Sequence, residues 1–231
     1  MTGPIWLYLH GFASGPGSRK AQAFVAWGAA RGLRIEALDL RVPSFEHLRF
    51  SAIKAKVRAA IDAAGGPGQE DRARAVLIGS SLGGLTACRV AQDDPRVCAV
   101  LAMAPAFQLA PRWRARLGER AWEAWRDSGS LEVDDHAANA KARVDFGFVA
   151  ELAELDIDLP DVRVPTLVVH GTNDDVVDIA RSRDFARESP HIRVVEVDDG
   201  HELSASIGRI LSEADTFFAS FGLVKNLTER S

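Results

Sequence analysis

Six short apolar segments, separated by stretches with helical periodicity, constrain the fold of this chain more than any other feature. Most are continuously apolar instead of alternating, which is typical of strands that helices cover on both faces of a parallel sheet. The segments are residues 5–9, 35–38, 75–79, 97–103, 166–170 and 192–197. They predict a mostly parallel, doubly wound α/β sheet of about six strands.

Helical patterns fill most of the intervals between these predicted strands. They cover residues 18–31, 46–64, 82–93, 179–188 and 203–221. Because strands that alternate with helices form right-handed crossovers, the carboxyl ends of the strands share one edge, where reactive sites lie. Functional side chains are therefore expected in the loops that follow the strands.

The segment 105–161 interrupts this alternation, since it contains no strand signal. It carries Trp113, Trp122 and Trp125 among mixed-charge helical stretches. An insertion of this length between two strands predicts a helical cap within a single domain that spans residues 1–231. The tryptophans either pack the cap onto the body or contact a substrate, and the sequence leaves both alternatives open.

A G-x-S-x-G motif follows the third apolar segment and precedes a helical pattern. Ser81 is the central serine, with Gly79 two residues before it and Gly83 two residues after it. A nucleophile on so sharp a strand-to-helix turn has strained backbone geometry, and the glycines avoid collisions across the bend. The helix that begins next favours negative charge at this position. The motif predicts Ser81 as a nucleophile, the alternative being an ordinary tight turn.

A serine hydroxyl needs a base that is itself oriented by a carboxylate. The loop after the strand 166–170 offers Asp174, Asp175 and Asp178, and the loop after the strand 192–197 offers His201. Asp174 is the predicted acid, Asp175 is its nearest competitor, and Asp178 is expected to cap the next helix. The chain order Ser, Asp, His is the one that α/β-hydrolases use.

Other roles for the histidines remain open at this stage. His201 has an alternative as a surface residue hydrogen-bonded to Asp198 or Asp199. His170 ends a strand but precedes the acid, so it is disfavoured as the base. His10 is expected to hold the loop after the first strand.

An acyl-transfer site also needs two donors for the oxyanion. Gly11 permits a backbone bend that turns the N–H of Phe12 toward the site. The N–H of Leu82, directly after the nucleophile, is the second predicted donor.

Charge and cysteine content exclude several classes of protein. The formal net charge of −4 gives no electrostatic footprint for nucleic acid. No apolar run approaches a membrane span, and the N-terminus lacks the pattern of a signal peptide. Cys88 and Cys98 are too few for a disulfide framework. We predict a reduced, cytoplasmic protein, monomer or homodimer, that needs no cofactor or metal and binds a small-molecule substrate.

Four stretches together resemble the α/β-hydrolase superfamily over nearly the whole chain: YLHGFASGPGSRKAQAF, GSSLGG, HGTNDDVV and DGHEL. More narrowly, they resemble the small bacterial esterases of the YqiA type. GSSLGG and HGTNDDVV are also similar to the abhydrolase-domain acyl-protein thioesterases. The segment 105–161 departs from the YqiA-type relatives, whose cap is short.

The resemblance implies a role for each matching residue. Ser81 is the nucleophile, His201 the general base and then acid, and Asp174 the orienting acid, while Phe12 and Leu82 supply the oxyanion donors. The leading hypothesis is a serine hydrolase that cleaves carboxylic esters through an acyl-enzyme. The alternatives are an acyl thioesterase of the same fold and a non-catalytic binding module that retained the fold.

Overall fold

A six-stranded parallel sheet forms the centre of the computed structural model, which describes residues 3–66, 73–187 and 189–225. In chain order the elements are β1 (Ile5–Leu9), α1 (Arg19–Ala29), β2 (Ile35–Leu38), α2 (Phe50–Gly65), β3 (Ala75–Ser80), α3 (Leu82–Asp93), β4 (Val97–Met103), α4 (Leu109–Leu117), α5 (Glu119–Ser128), β5 (Ser130–Asp135), β6 (Ala140–Asp145), α6 (Gly147–Leu155), β7 (Thr166–Gly171), α7 (Ala180–Arg187), β8 (Ile192–Val197) and α8 (Ile207–Ser220). The strand order in the sheet is β2-β1-β3-β4-β7-β8, and every pair is parallel. The predicted fold class is confirmed.

Each predicted strand agrees with the structure to within one residue, whereas the helix boundaries agree less well. The helix predicted at 203–221 begins only at Ile207, because Leu203 has a φ of +52°, outside the right-handed helical region. The helix predicted at 46–64 begins at Phe50. Glu188, the last residue of the helix predicted at 179–188, lies outside the described residues.

Side chains alternate between the two faces of the sheet, and both faces are buried. Leu7, Leu77 and Val168 belong to one hydrophobic core, which also includes residues of α2 and α3. Their strand neighbours belong to a second core, formed with α1 and α8. Burial on both faces explains why these strands are continuously apolar in the sequence.

The cap segment, residues 105–161, contains a β-hairpin as well as helices, so the prediction that it has no strands is wrong. β5 and β6 pair in antiparallel register between α5 and α6. In β5 the half-buried Leu131 and Val133 alternate with the exposed Glu132 and Asp134. Such a strand, buried on one face only, has no continuous apolar run and therefore gives little sequence signal.

Ion pairs anchor both ends of this hairpin to the loop that follows β2. The Arg41 guanidinium pairs with Asp135 at the end of β5. Arg49 Nη1 donates to Asp145 Oδ1, at 2.6 Å, at the end of β6. The hairpin is thus held against the body and is not a free flap.

A buried ion pair connects the cap segment to α3, the helix that follows the serine motif. Arg89 Nη2 on α3 lies 3.0 Å from Asp156 Oδ1, with the two side chains 8% and 0% exposed. The other oxygen of Asp156 accepts the N–H of Leu109, the first residue of α4, at 3.2 Å. This pair therefore fixes the start of α4 relative to α3.

None of the helices in the described residues combines the length and apolar composition needed to cross a lipid bilayer.

Candidate active site

Ser81 occupies a sharp turn between β3 and α3. Its backbone has φ 53° and ψ −115°, a sparsely populated conformation for a residue with a side chain. The turn is held in place because Ser81 N donates to Met103 O at 2.8 Å and Ser81 O accepts Ala106 N–H at 3.1 Å. The strained backbone predicted from the G-x-S-x-G spacing is present.

The flanking glycines make the turn sterically possible. A Cβ on Gly83 would lie 2.0 Å from Leu9 O, and a Cβ on Gly79 would lie 2.2 Å from Gly83 O. Both contacts are shorter than any real Cβ makes. Both positions therefore require glycine, because neighbouring main-chain atoms lie too close to leave room for a side chain.

The structure brings Ser81, His201 and Asp174 into one hydrogen-bonded line, although they lie on three separate loops. His201 Nε2 is 3.0 Å from Ser81 Oγ, and His201 Nδ1 is 2.8 Å from Asp174 Oδ2. The Asp174 side chain is fully buried, and that of His201 is 13% exposed. Asp175 is exposed, and no hydrogen bond of the described residues joins it to His201.

The protonation of Asp174 decides the tautomer of His201. Burial acts to raise the pKa of Asp174, but hydrogen bonds from His170, His201 and the Val177 N–H outweigh it and hold the pKa well below its ordinary value. Asp174 is thus an ionised, acceptor-only group. His201 Nδ1 must therefore carry the proton that it donates to Asp174, which leaves Nε2 as the acceptor of the hydrogen bond from the Ser81 hydroxyl.

His170 supports the carboxylate, a contact that the sequence analysis did not anticipate. It is completely buried, its Nε2 donates to Val177 O at 2.9 Å, and the same nitrogen lies 3.1 Å from Asp174 Oδ2. Its Nδ1 is 2.7 Å from Ser182 Oγ. The available signal was its position at the end of a buried strand, four residues before the acid.

Main-chain donors hold the other oxygen of Asp174. Asp174 Oδ1 accepts the N–H groups of Val176 and Val177 at 2.9 and 2.7 Å. Asp178 accepts the N–H of Ala180 at 2.8 Å at the start of α7, the capping role predicted for it. The Asp174 carboxylate is therefore fixed in orientation by its own loop.

The two predicted oxyanion donors both border the cavity in front of Ser81. Leu82 is the first residue of α3, so its N–H has no partner within the helix. No hydrogen bond of the described residues engages the N–H of Leu82 or of Phe12. Gly11 lets the loop approach the turn, since a Cβ there would lie 3.3 Å from Ser81 Cβ.

His10 holds this loop, as the sequence predicted. Its Nδ1 donates to Gly11 O at 2.8 Å, and its Nε2 accepts the N–H of Leu40 at 2.9 Å. Burial lowers its pKa, which keeps the imidazole neutral as this pair of bonds requires.

An aromatic cluster connects the same loop to the cap segment. The Phe12 ring packs edge-on against Trp113, at 4.8 Å between centroids, and is stacked with Phe148 at 5.8 Å. Trp113 also borders the cavity. Trp122 and Trp125 are buried in the cap segment instead, and Trp125 Nε1 donates to Val144 O at 3.0 Å. The sequence alone could not distinguish these roles.

The cavity in front of Ser81 has a volume of about 710 Å³. This volume is within the range of small-molecule sites, roughly 300–1,000 Å³. Residues of the cap segment and of the loops after β1, β3, β7 and β8 form its walls. In the described residues, no group of three or more His, Cys, Asp or Glu side chains is arranged to hold a metal ion.

The sheet order, the strained serine turn and the loops that converge on it define the α/β-hydrolase fold. The chain belongs to the uncharacterised protein family UPF0227, whose family model matches residues 5–219. The resemblance to α/β-hydrolases of the YqiA type is thereby confirmed. No curated protein sequence matches the chain significantly.

Solved structures agree with this fold. Mouse α/β hydrolase domain-containing protein 10 aligns with a TM-score of 0.76 and 20% identity, over 96% of this chain and 92% of that one. A protein from Agrobacterium vitis S4 aligns with a TM-score of 0.76 and 18% identity, over 96% of this chain and 88% of that one. Est1E from Butyrivibrio proteoclasticus aligns with a TM-score of 0.71 and 19% identity, over 95% and 88%.

Proposed function

We propose that this protein is a serine hydrolase that cleaves carboxylic esters through an acyl-enzyme. The observation that carries the proposal is the line from Ser81 Oγ to His201 Nε2, at 3.0 Å, and from His201 Nδ1 to Asp174 Oδ2, at 2.8 Å. These are the hydrogen-bond distances that a nucleophile, its base and an orienting acid require.

In the acylation step, Ser81 Oγ attacks the ester carbonyl while His201 Nε2 takes its proton. The negative charge that develops on the carbonyl oxygen is stabilised by the N–H groups of Phe12 and Leu82 and by the N-terminus of α3. His201 then donates the proton to the leaving alcohol. Asp174 remains ionised throughout and stabilises the imidazolium.

In the deacylation step, the same groups act on water. His201 removes a proton from a water molecule that attacks the acyl carbonyl, and the bond from Ser81 Oγ to the acyl carbon breaks. Ser81 recovers its proton from His201. All groups needed for turnover come from the described residues, and the substrate is a small molecule that fits the cavity.

Labelling with a fluorophosphonate tests the proposal. We expect the wild-type protein to form a stoichiometric adduct on Ser81, detected by intact mass and peptide mapping, because an activated serine attacks the phosphorus. Ser81→Ala is expected to give no adduct, whereas Ser80→Ala, one residue earlier, is expected to label. Equal labelling of wild type and Ser81→Ala would disprove the assignment, and a wild-type protein that never labels would favour the non-catalytic binding module.

The pH dependence of activity provides a second test. Because the pKa of Asp174 is held below its ordinary value, Asp174 stays ionised through the mildly acidic range, so a change of activity there does not come from loss of the carboxylate. Protonated His201 cannot accept the serine proton. We expect kcat/KM for a short-chain ester to rise from about pH 5 to neutral pH and then level off. The rate of fluorophosphonate labelling should follow the same curve, and a flat profile would contradict the role of His201.

A further inference from the structure

The cavity in front of Ser81 has two chemically different halves. The apolar half is formed by the cap segment and by the Phe12 ring, and its residues are Phe12, Leu109, Trp113, Leu117, Leu131 and Val133. Except for Leu109, which is itself a core residue, these side chains are partly buried and pack against the hydrophobic core. The cap side of the cavity also carries Arg116, Asp134 and His136, which are exposed, so the apolar wall is the partly buried portion of this half.

The polar half is formed by the start of α1 and by the loop that carries His201. Its polar side chains are Ser18, Arg19, Lys20, Glu202 and Ser204, and the apolar Ile207 lines the cavity beside them. The two segments are joined because Lys20 Nζ donates to Glu202 O at 2.9 Å and lies 3.5 Å from Glu202 Oε2. Lys20 is 14% exposed and Glu202 is 78% exposed, so the Glu202 carboxylate remains open to a ligand.

The proton transfer decides which part of an ester lies in which half. His201 must protonate the leaving oxygen, so the alcohol has to emerge next to the imidazole. Glu202 follows His201 directly, and Ser204 lies three residues after His201 in the same loop. The acyl group extends from the carbonyl in the other direction, toward the Phe12 ring and the cap segment.

Resting on the serine hydrolase proposed above, we infer that the natural substrates are esters of an apolar acyl group with a neutral, polyhydroxylated alcohol. Hydroxyl groups both donate and accept hydrogen bonds, which matches a site that offers an ammonium, a carboxylate and two serine hydroxyls. The charges of Lys20 and Glu202 offset each other, and Arg19, like Glu202, lies exposed, where solvent and salt screen net charge but leave the hydrogen-bonding atoms available. The alcohol half therefore does not select for a charged leaving group.

The bonds that change during acylation are those of any ester. A bond forms between Ser81 Oγ and the acyl carbon, the bond between the acyl carbon and the alcohol oxygen breaks, and the serine proton passes through His201 to the released alcohol. Two esters with the same acyl group give the same acyl-enzyme. Their kcat/KM values therefore differ only through recognition and departure of the alcohol.

The test compares 1-octanoylglycerol with butyl octanoate, each below its critical micelle concentration. We expect the wild type to prefer the glycerol ester by at least about tenfold in kcat/KM, the effect of a hydrogen bond with a charged group. Glu202→Leu removes the carboxylate but keeps the carbonyl that Lys20 binds, and Lys20→Met removes the ammonium. Both variants are expected to lower the ratio of the two kcat/KM values by threefold or more. Because the intrinsic reactivity of the two esters is the same for every variant, comparing this ratio with that of the wild type cancels it.

Lys54→Met is the matched control, because Lys54 pairs with Asp93 on the body, away from the cavity. It is expected to leave both kcat/KM values unchanged. A wild type that labels with fluorophosphonate but does not prefer the glycerol ester would overturn this inference alone. The inference would also be overturned if Glu202→Leu and Lys20→Met kept the wild-type preference for the glycerol ester, or if they lowered kcat/KM equally for both esters. A wild type that neither labels nor hydrolyses either ester would overturn the serine hydrolase proposal and this inference with it.

Discussion

Replacing Asp174 by asparagine is expected to lower kcat by about 10⁴-fold, the size of the effect in a serine protease triad. The reason lies in the two backbone donors on its loop. Asp174 Oδ1 accepts the N–H groups of Val176 and Val177, so the amide oxygen of an asparagine must occupy that position. Its NH₂ group then faces His201 Nδ1, where only an acceptor suits the working tautomer.

The consequence for His201 is a reversal of its tautomer. With a donor opposite Nδ1, this nitrogen becomes the acceptor and Nε2 carries the proton, so Nε2 can no longer accept the proton of Ser81. The kcat for a short-chain ester and the rate of fluorophosphonate labelling should fall together. The unfolding transition in urea shows whether Asp174→Asn is still folded.

Asp175→Asn is the matched control, since it makes the same chemical change one residue away on an exposed side chain. We expect its kcat to stay within about twofold of wild type, as for a surface substitution. If Asp175→Asn were the damaging change and Asp174→Asn were nearly silent, the triad acid would be misassigned.

The sheet and the serine turn could be predicted because their signals are local. A strand buried on both faces needs a continuous apolar run, and a nucleophile turn needs small residues two positions to either side. Strand β4 (Val97–Met103) and the turn at Ser81 satisfy these conditions within a few neighbouring residues. The chain order of Ser81, Asp174 and His201 then restricts which loops are able to meet.

The partners of these groups could not be predicted because their signals are not local. A histidine at the end of a buried strand has the same sequence pattern whether it packs in the core or contacts a carboxylate. The contact of His170 with Asp174 becomes visible only when the loop after β7 folds back over the strand. The same holds for Phe12 and Trp113, which are 101 positions apart in the chain and 4.8 Å apart between ring centroids.

The hairpin of the cap segment illustrates a third case. Its strands are half-exposed and charged at alternate positions, and their pairing is supported by ion pairs with Arg41 and Arg49 from a distant loop. Local periodicity over six residues was too weak to indicate strands there. The length of the insertion predicts a cap, but it does not predict the hairpin within it.

Gly83→Ala is expected to destabilise the fold by about 3 kcal/mol or more, in the upper range for overpacking. Helix propensity alone predicts the opposite, a gain of up to about 1 kcal/mol, because Gly83 lies in α3. The added Cβ would lie 2.0 Å from Leu9 O and 2.7 Å from His10 O. Those are main-chain atoms of β1 and of the loop toward the oxyanion donors, so neither can move without displacing the site.

Gly208→Ala separates the steric effect from propensity. Gly208 is also helical, in α8, but a Cβ there would meet nothing within 4 Å. We expect this variant to be neutral or up to about 1 kcal/mol more stable than wild type, and to leave the proposed esterase activity unchanged. The free energies of unfolding from urea titration provide the comparison. If Gly83→Ala were as stable and as active as Gly208→Ala, β1 and α3 could not be in close contact at the serine turn. The turn geometry on which the nucleophile role of Ser81 depends would then be wrong.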